Sequence, residues 1–278
     1  MTMSKKVKNA FLVIFLAALT LLFLMPIIIV FMNSFKGQFY ISAEPFQLPS
    51  PGTFVGLQNY FSGIEKINFF SAFGYSLFIT VFSVLTILLF TSMTAWYLVR
   101  VRTRASKIIY YALVFSMIVP FQMVMFTMSK VANVLRLENP VGIVLIYLGF
   151  GAGLSVFMFC GFIRSIPLAI EEAAEIDGCT PPQRFFYVIF PILKPIAITV
   201  AVLNAMWIWN DYLLPLLVIG SKYRTIPVAV QYLQGGYGSR DMGALMAMLV
   251  LAIIPIIIFY AAMQRHIIRG VVAGAVKG

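Results

Sequence analysis

Histidine, cysteine and acidic side chains are scarce in this 278-residue sequence, which holds one His, two Cys and nine Asp or Glu. Each scarcity removes a class of function. With His266 as the lone histidine, a histidine-based metal centre is disfavoured. Cys160 lies in an apolar run and Cys179 in a polar one, so the pair frames neither a disulfide scaffold nor a zinc spacing. Charged residues make up only 10% of the chain, whereas hydrophobic residues reach 62%. A water-soluble fold of that composition has too little polar surface to cover itself, which leaves an integral membrane protein. The net charge of +11 brings nucleic acid to mind, but Lys and Arg fall in short clusters between apolar runs. That is the pattern of membrane topology signals, so no nucleic-acid partner is expected and the lipid bilayer is. A phosphate-binding glycine loop ending in Gly-Lys-Ser or Gly-Lys-Thr is also missing, so no cofactor is expected on this chain.

What is present is long apolar sequence. Stretches at about 10–32, 72–99, 108–132, 141–163, 191–219 and 242–263 each reach the ~20 residues of a helical span. They predict an all-α, polytopic membrane protein with six transmembrane helices in one domain, 1–278. A loop at 164–190 and a tail at 264–278 complete it. The first stretch follows Lys5, Lys6 and Lys8 but is long for a signal peptide and lacks a small-residue cleavage site; it reads as a retained anchor. With the N-terminus inside, thirteen Lys and Arg fall on the inner side and seven on the outer, which accounts for all 20. That bias puts both termini, the loop and the tail in the cytoplasm. Gly149 and Gly153 form a small-xxx-small pair suited to close helix packing. Pro120 and Pro255 are expected to kink their spans.

The loop at 164–190 holds four of the nine carboxylates, Glu171, Glu172, Glu175 and Asp177. Each would cost several kcal/mol in hydrocarbon, so the segment belongs in water. Pro167 can open a short helix there, the carboxylates favour its N-terminal turns, and Gly178 can end it in a left-handed conformation. A helix that merely lies on lipid headgroups carries Lys and Arg on its polar face. This one is acidic, which argues for a protein partner.

The run Glu171-Glu172-Ala173-Ala174-Glu175-Ile176-Asp177-Gly178, continuing to Ile189 and Pro191, resembles the "EAA" loop of bacterial ATP-binding-cassette importer permeases. Ser116–Pro120, Asn139–Gly142, Phe162–Pro167, Trp209–Pro215 and the tail Arg269–Gly278 are similar to the carbohydrate-uptake, maltose-transporter-type branch. Two positions depart from the pattern: Cys179 stands where the family usually has Ala, and Phe190 where Leu is commoner. The resemblance implies a non-catalytic permease subunit of an ATP-driven, binding-protein-dependent sugar importer, oligosaccharides being the expected class, in the bacterial inner membrane. Its implied partners are a second permease subunit, two ATP-binding-cassette ATPase subunits that hold ATP and Mg, and an extracytoplasmic solute-binding protein. Glu171, Glu172, Ala173, Ala174, Asp177 and Gly178 are the implied ATPase-coupling residues. Glu172 would pair with a basic group of the ATPase, and the tail 270–278 would reach towards the ATPase dimer.

In the fifth span Asn204, Trp207 and Asp211 are spaced i, i+3, i+7 and share one helical face. Polar residues in a span face the bundle interior. This face is therefore expected to line the pathway or the seam with the second permease. The Phe and Tyr content of the outer loop at 33–71 suggests packing on the membrane surface or on a partner, and the Gly235-Gly236 turn and Arg240-Asp241 lie on the outer face where the binding protein would dock. The alternative functions are a self-sufficient secondary transporter or channel and a membrane-embedded enzyme. The first wants carboxylate relays deep in the spans or internal repeats, and the second clustered metal ligands facing a cavity; the sequence offers neither.

Overall fold

In the computed structural model, the backbone is described over residues 5–235 and 240–275, and side chains over 8–235 and 240–264. Helices account for the regular structure of these residues, with a single isolated bridge between Lys36 and Phe54. In order they are α1 (Lys5–Asn33), α2 (Gln38–Ala43), α3 (Gln58–Lys66), α4 (Phe69–Arg100), α5 (Arg104–Ser116), α6 (Phe121–Val134), α7 (Pro140–Ile163) and α8 (Leu168–Ile176). Then α9 (Pro181–Gln183) runs through a π-helical turn, Arg184–Ile189, into α10 (Phe190–Ile192). The chain ends with α11 (Lys194–Asn210), α12 (Leu213–Val218), α13 (Ile226–Gln231) and α14 (Met242–Ala275). Two compact units are formed, one from residues up to Phe70 with Ala229–Pro255, the other from Ser71–Val228 with residues from Ile256 onward.

Among the described residues, four helices are apolar and long enough to cross a membrane: Lys8–Asn33, Phe69–Arg100, Pro140–Ile163 and Met242–Gln264. The other two expected spans are bent. Arg104–Ser116 and Phe121–Val134 meet at 108°, which corrects the continuous span expected at 108–132 and the mere kink expected at Pro120. Proline has no N–H for the helix ladder and pushes the residue before it out of the helical region. Pro120 itself is extended, at φ −61° and ψ 135°. The span expected at 191–219 is likewise interrupted. Pro181–Ile192 meets Lys194–Asn210 at 77°, and the helix stops at Asn210. Asp211 Oδ1 there accepts the N–H groups of Leu213 and Leu214 at 3.0 and 3.3 Å, so it starts α12 instead of continuing α11. Pro255, by contrast, sits inside the uninterrupted α14.

In the first unit, α1 presents Phe11, Phe15, Phe23 and Phe31 outward, as a lipid-solvated helix would. The segment after it is built from its own polar side chains. Asn33 Nδ2 donates to the carbonyls of Ile29 and Pro45, both at 2.8 Å, and the buried Lys36 ammonium donates to the Glu44 carbonyl at 2.7 Å. Asn59 Nδ2 ties in the carbonyls of Ser34 and Lys36. Asp241 caps α14 by accepting the Ala244 N–H at 2.9 Å, and its other oxygen pairs with Lys66 at 2.5 Å.

In the second unit, α7 is the central helix, packed by both α5 and α11. Asn139 caps it, accepting from Val141 and Gly142 at 3.1 and 2.9 Å, with Pro140 in the first turn where its missing N–H costs nothing. Gly153 permits a close approach to α5, because a Cβ there would stand 2.6 Å from the Leu113 carbonyl oxygen. Its expected partner Gly149 has nothing within 4 Å. The pair does not act together: the space beside Gly149, lined by Phe115, Ser116, Val119 and Val124, is open.

Candidate functional site

The acidic loop folds as a nine-residue helix with a defined start and stop. Pro167 precedes α8 in extended conformation, and α8 runs from Leu168 to Ile176. Gly178, at φ +82°, then reverses the chain. The Gly178 N–H donates to the Glu175 carbonyl and the Cys179 N–H to the Ala174 carbonyl, both at 3.0 Å. These two bonds make a Schellman motif, whose left-handed residue is best filled by glycine. Thr180 restarts the chain through Gln183 Oε1, which accepts both its N–H and its hydroxyl at 2.8 Å.

The helix has an anchored face and a free one. Glu171 is only 4% exposed. One of its oxygens lies 2.7 Å from Arg100 Nε and Nη2, and the other accepts from Trp96 Nε1 at 2.9 Å. Arg100 Nη2 also donates to the Ile166 carbonyl at 3.2 Å. The Trp96 ring packs 5.5 Å from that of Phe185, a buried residue of the π-helical turn. Ala174, one turn on from Glu171, is buried as well. On the opposite side Glu172, Ala173 and Asp177 are exposed, and Ile176 is 87% exposed. Glu175 joins Arg184 at 2.5 Å, which closes the loop on itself.

The structure therefore divides the expected coupling residues. Glu172, Ala173, Asp177 and Gly178 are presented outward, whereas Glu171 and Ala174 turn inward. Glu171, held by a guanidinium and an indole and almost fully buried, is placed as an anchor of α8 on its inner side. Sequence reading missed Arg100, Trp96 and Phe185. The available signal was Arg100 itself, a cation closing an apolar span, which needs a counter-charge nearby.

The second predicted group converges on α7. Asn204 is buried, and its amide donates to Ser155 Oγ at 3.1 Å and to the Val200 carbonyl at 2.9 Å. Tyr147 joins the other two residues. Its hydroxyl donates to Asp211 Oδ2 at 3.0 Å, and its ring meets Trp207 edge-on at 5.4 Å. Trp207 remains 42% exposed, so it is the member of the trio with surface to offer. Asn204 and Asp211 spend their polar atoms inside the unit. The tail 270–278 and Gly236 lie outside the residues whose side chains are described.

Comparison with known proteins places this geometry in context. Residues 87–273 match the model of a family described as binding-protein-dependent transport system inner membrane component. The chain is 41% identical to a protein of Thermoanaerobacterium thermosulfurigenes named "Probable starch degradation products transport system permease protein", over 93% of both chains. It is 36% identical to the multiple sugar-binding transport system permease protein of Streptococcus mutans, over 92% of this chain and 93% of that one. Among solved structures, one chain of a bacterial transporter that imports the acidic polysaccharide alginate superposes with a TM-score of 0.80 at 23% identity. It covers 95% of this chain and 98% of its own.

Proposed function

The chain belongs to the family of binding-protein-dependent transport system inner membrane components, and from that premise we propose how its parts serve import. It is a multi-pass permease subunit of an ATP-driven sugar importer. Oligosaccharides are the solutes we assign to it, in keeping with the starch-product and multiple-sugar systems of its relatives. The whole chain, 1–278, acts as one permease domain with both termini in the cytoplasm. It forms the pathway with a second permease, receives solute from an extracytoplasmic binding protein, and takes its energy from two ATPase subunits that bind ATP and Mg.

The carrying observation is the two-faced α8. Its outer edge, Glu172, Ala173, Asp177 and Gly178, is the surface we assign to the ATPase. Glu171 fixes the inner edge to Arg100 at the end of α4, with Trp96 as second donor. When the ATPases close on nucleotide, they displace α8. Because a buried ion pair and a packed aromatic join α8 to α4, the two move together, and the displacement is delivered to a transmembrane helix instead of being absorbed by a slack loop. Trp207 is the residue of the predicted trio we assign to the pathway, offering a ring face to a sugar. Asn204 and Asp211 hold it in place through α7 and Tyr147.

The test is Glu172→Ala in the complete complex reconstituted into vesicles. ATP-dependent uptake should fall by about tenfold or more, the loss of an interface ion pair of roughly 1.4 kcal/mol or above, with assembly of the permease pair intact. Undiminished ATP-driven uptake would sink the docking assignment. Sustained accumulation of sugar without ATP would instead favour a secondary carrier.

A further inference from the structure

The same end of the second unit carries a basic cavity that the coupling scheme does not use. It measures about 420 Å³ and lies among the end of α4, the start of α5 and the end of α7. Three cations line it, Arg102, Lys107 and Arg164, together with Tyr110 and Ser106, and no carboxylate does. Among the described residues none of the three cations is in an ion pair, in contrast to Arg100 and Arg184 nearby. Arg164 is turned over the face of Tyr110 at 5.5 Å from the ring centre, which holds one guanidinium in place without neutralising it. Thr103 caps α5 by accepting the Ser106 N–H at 3.1 Å, which fixes the short turn that brings Arg102 and Lys107 to the same cavity.

Three like charges gathered without a counter-ion repel one another, so the arrangement calls for an external anion. The surroundings indicate which. Directly along α5 from the cavity, Ile108, Tyr111 and Phe115 are 68%, 68% and 64% exposed, at spacings of three and four residues that put them on one face. A free phosphate or a soluble acid would satisfy the cations and leave that apolar stripe without a match. A phospholipid supplies both, a phosphodiester for the cations and acyl chain for the stripe, with Tyr110 and Tyr111 at the level where aromatic rings favour the membrane interface.

We propose that this cavity is a binding site for the headgroup of an anionic phospholipid, with an acyl chain lying along α5. Since Arg102 follows directly on the α4 end that Arg100 ties to α8, a bound lipid would brace the root of the coupling helix from the bilayer side. The site itself stands on the cavity and its charges, and does not depend on α8 contacting an ATPase.

The experiment uses the intact complex in nanodiscs with photoactivatable phosphatidylglycerol, its phosphatidylcholine counterpart, and inorganic phosphate as competitor. Each cation near an anionic surface is worth about a fivefold preference, so three give at most about a hundredfold. Labelling of peptides 98–111 and 160–164 by phosphatidylglycerol should exceed that by phosphatidylcholine by at least about tenfold, since exposure weakens the ideal value. It should resist millimolar phosphate, and it should fall to the phosphatidylcholine level in the combined variant Arg102→Gln, Lys107→Gln, Arg164→Gln. The matched variant Lys130→Gln, Arg136→Gln, Lys222→Gln should label as the unaltered complex does. Equal labelling by the two lipids overturns the proposal. Displacement by millimolar phosphate reassigns the cavity to a free anion and overturns the lipid. Protection of the cavity by a partner subunit, seen as crosslinks from these residues to that subunit, overturns it as well. Should the combined variant fail to assemble, the labelling ratio and the phosphate competition on the unaltered complex decide the matter.

Discussion

Arg100 closes a transmembrane helix of 32 residues, and its guanidinium lies 2.7 Å from the carboxylate of Glu171, a residue 71 positions further along the chain. The side chains are 17% and 5% exposed, so water contributes little to either. An ion pair in that setting is weak evidence for stability as such, because desolvation offsets most of the attraction. What it provides is a fixed geometry: the short α8 cannot tilt without moving the end of α4.

Breaking the pair from one side should therefore cost far more than removing it. Glu171→Leu leaves Arg100 buried beside apolar groups and should destabilise the purified complex by about 3 kcal/mol, toward the low end for a buried pair because Arg100 keeps some solvent contact. Adding Arg100→Met should recover most of that loss. Thermal unfolding of the two single variants and the double variant gives the coupling energy directly. We expect the double variant to remain folded yet to couple ATP hydrolysis to uptake poorly, since the brace is gone. A double variant as unstable as Glu171→Leu alone contradicts this view of the pair.

Gly178 tests the backbone instead of the side chains. A Cβ at this position would touch nothing within 4 Å, so any penalty comes from the left-handed φ of +82° alone. Gly178→Ala should cost about 1–2 kcal/mol, and Gly178→Asn less, because Asn tolerates that region. Hydrogen exchange over 168–179 should report the difference as faster exchange at the Gly178 and Cys179 amides. Equal protection in all three forms would show that the Schellman turn is not what ends α8.

Asp241 makes a prediction about acid. Burial by itself would raise its carboxyl, but the Lys66 ammonium and the amides of Ala244 and Gly243 more than offset that and hold it below the usual carboxylate value of 3.8. A carboxyl lowered in the folded state adds stability above its unfolded value, and that stability is lost as pH falls through the lowered value. Asp241→Asn should remove this part of the acid dependence while keeping the helix cap, since Asn caps as well as Asp. Lys66 is half exposed, so the effect at neutral pH should stay below about 1 kcal/mol. The melting temperature of both forms between pH 3 and pH 7 checks the sign.

The trio on α11 and its continuation should separate by role. Trp207→Ala should raise the KM for sugar uptake by about tenfold, the worth of roughly 1–1.5 kcal/mol of ring stacking, and cost about 0.5–1.5 kcal/mol of stability through the lost edge contact with Tyr147. Asn204→Leu strands the Ser155 hydroxyl and overfills a buried site, and should cost about 1–3 kcal/mol of stability. Uptake kinetics on the two variants distinguish them: the KM should rise in Trp207→Ala and stay unchanged in Asn204→Leu. A Trp207→Ala complex with an unchanged KM removes that residue from the pathway.

How much of this was legible beforehand depended on range. The all-helical class, the opening of α8 at Pro167 and its stop at Gly178 are local matters, and the residues concerned carry the whole signal within a turn of one another. The side on which Glu171 points is not local. Four carboxylates in seven positions look alike in sequence, and only the return of α4 to within reach of α8 picks out Glu171 as the anchored one. The bends follow the same logic. Pro120 and Asp211 each have the capacity to stop a helix, but hydropathy continues straight through both, so the apolar run masks the breaker. Gly149 borders an open space beside Phe115, Val119 and Val124 instead of a packed neighbour, which no spacing within α7 could reveal.

The central claim is that α8 is the contact through which ATPase motion enters this chain. It is tested most directly by a cysteine placed at Ile176, which is 87% exposed, in a background of Cys179→Ala with the buried Cys160 left in place. In inside-out membrane vesicles holding the intact complex, a short bifunctional thiol–amine reagent should join this position to an ATPase subunit, with a yield that changes when nucleotide closes the ATPase pair. A cysteine that reacts only from the opposite side of the membrane, or one that crosslinks to no ATPase in any nucleotide state, contradicts the account.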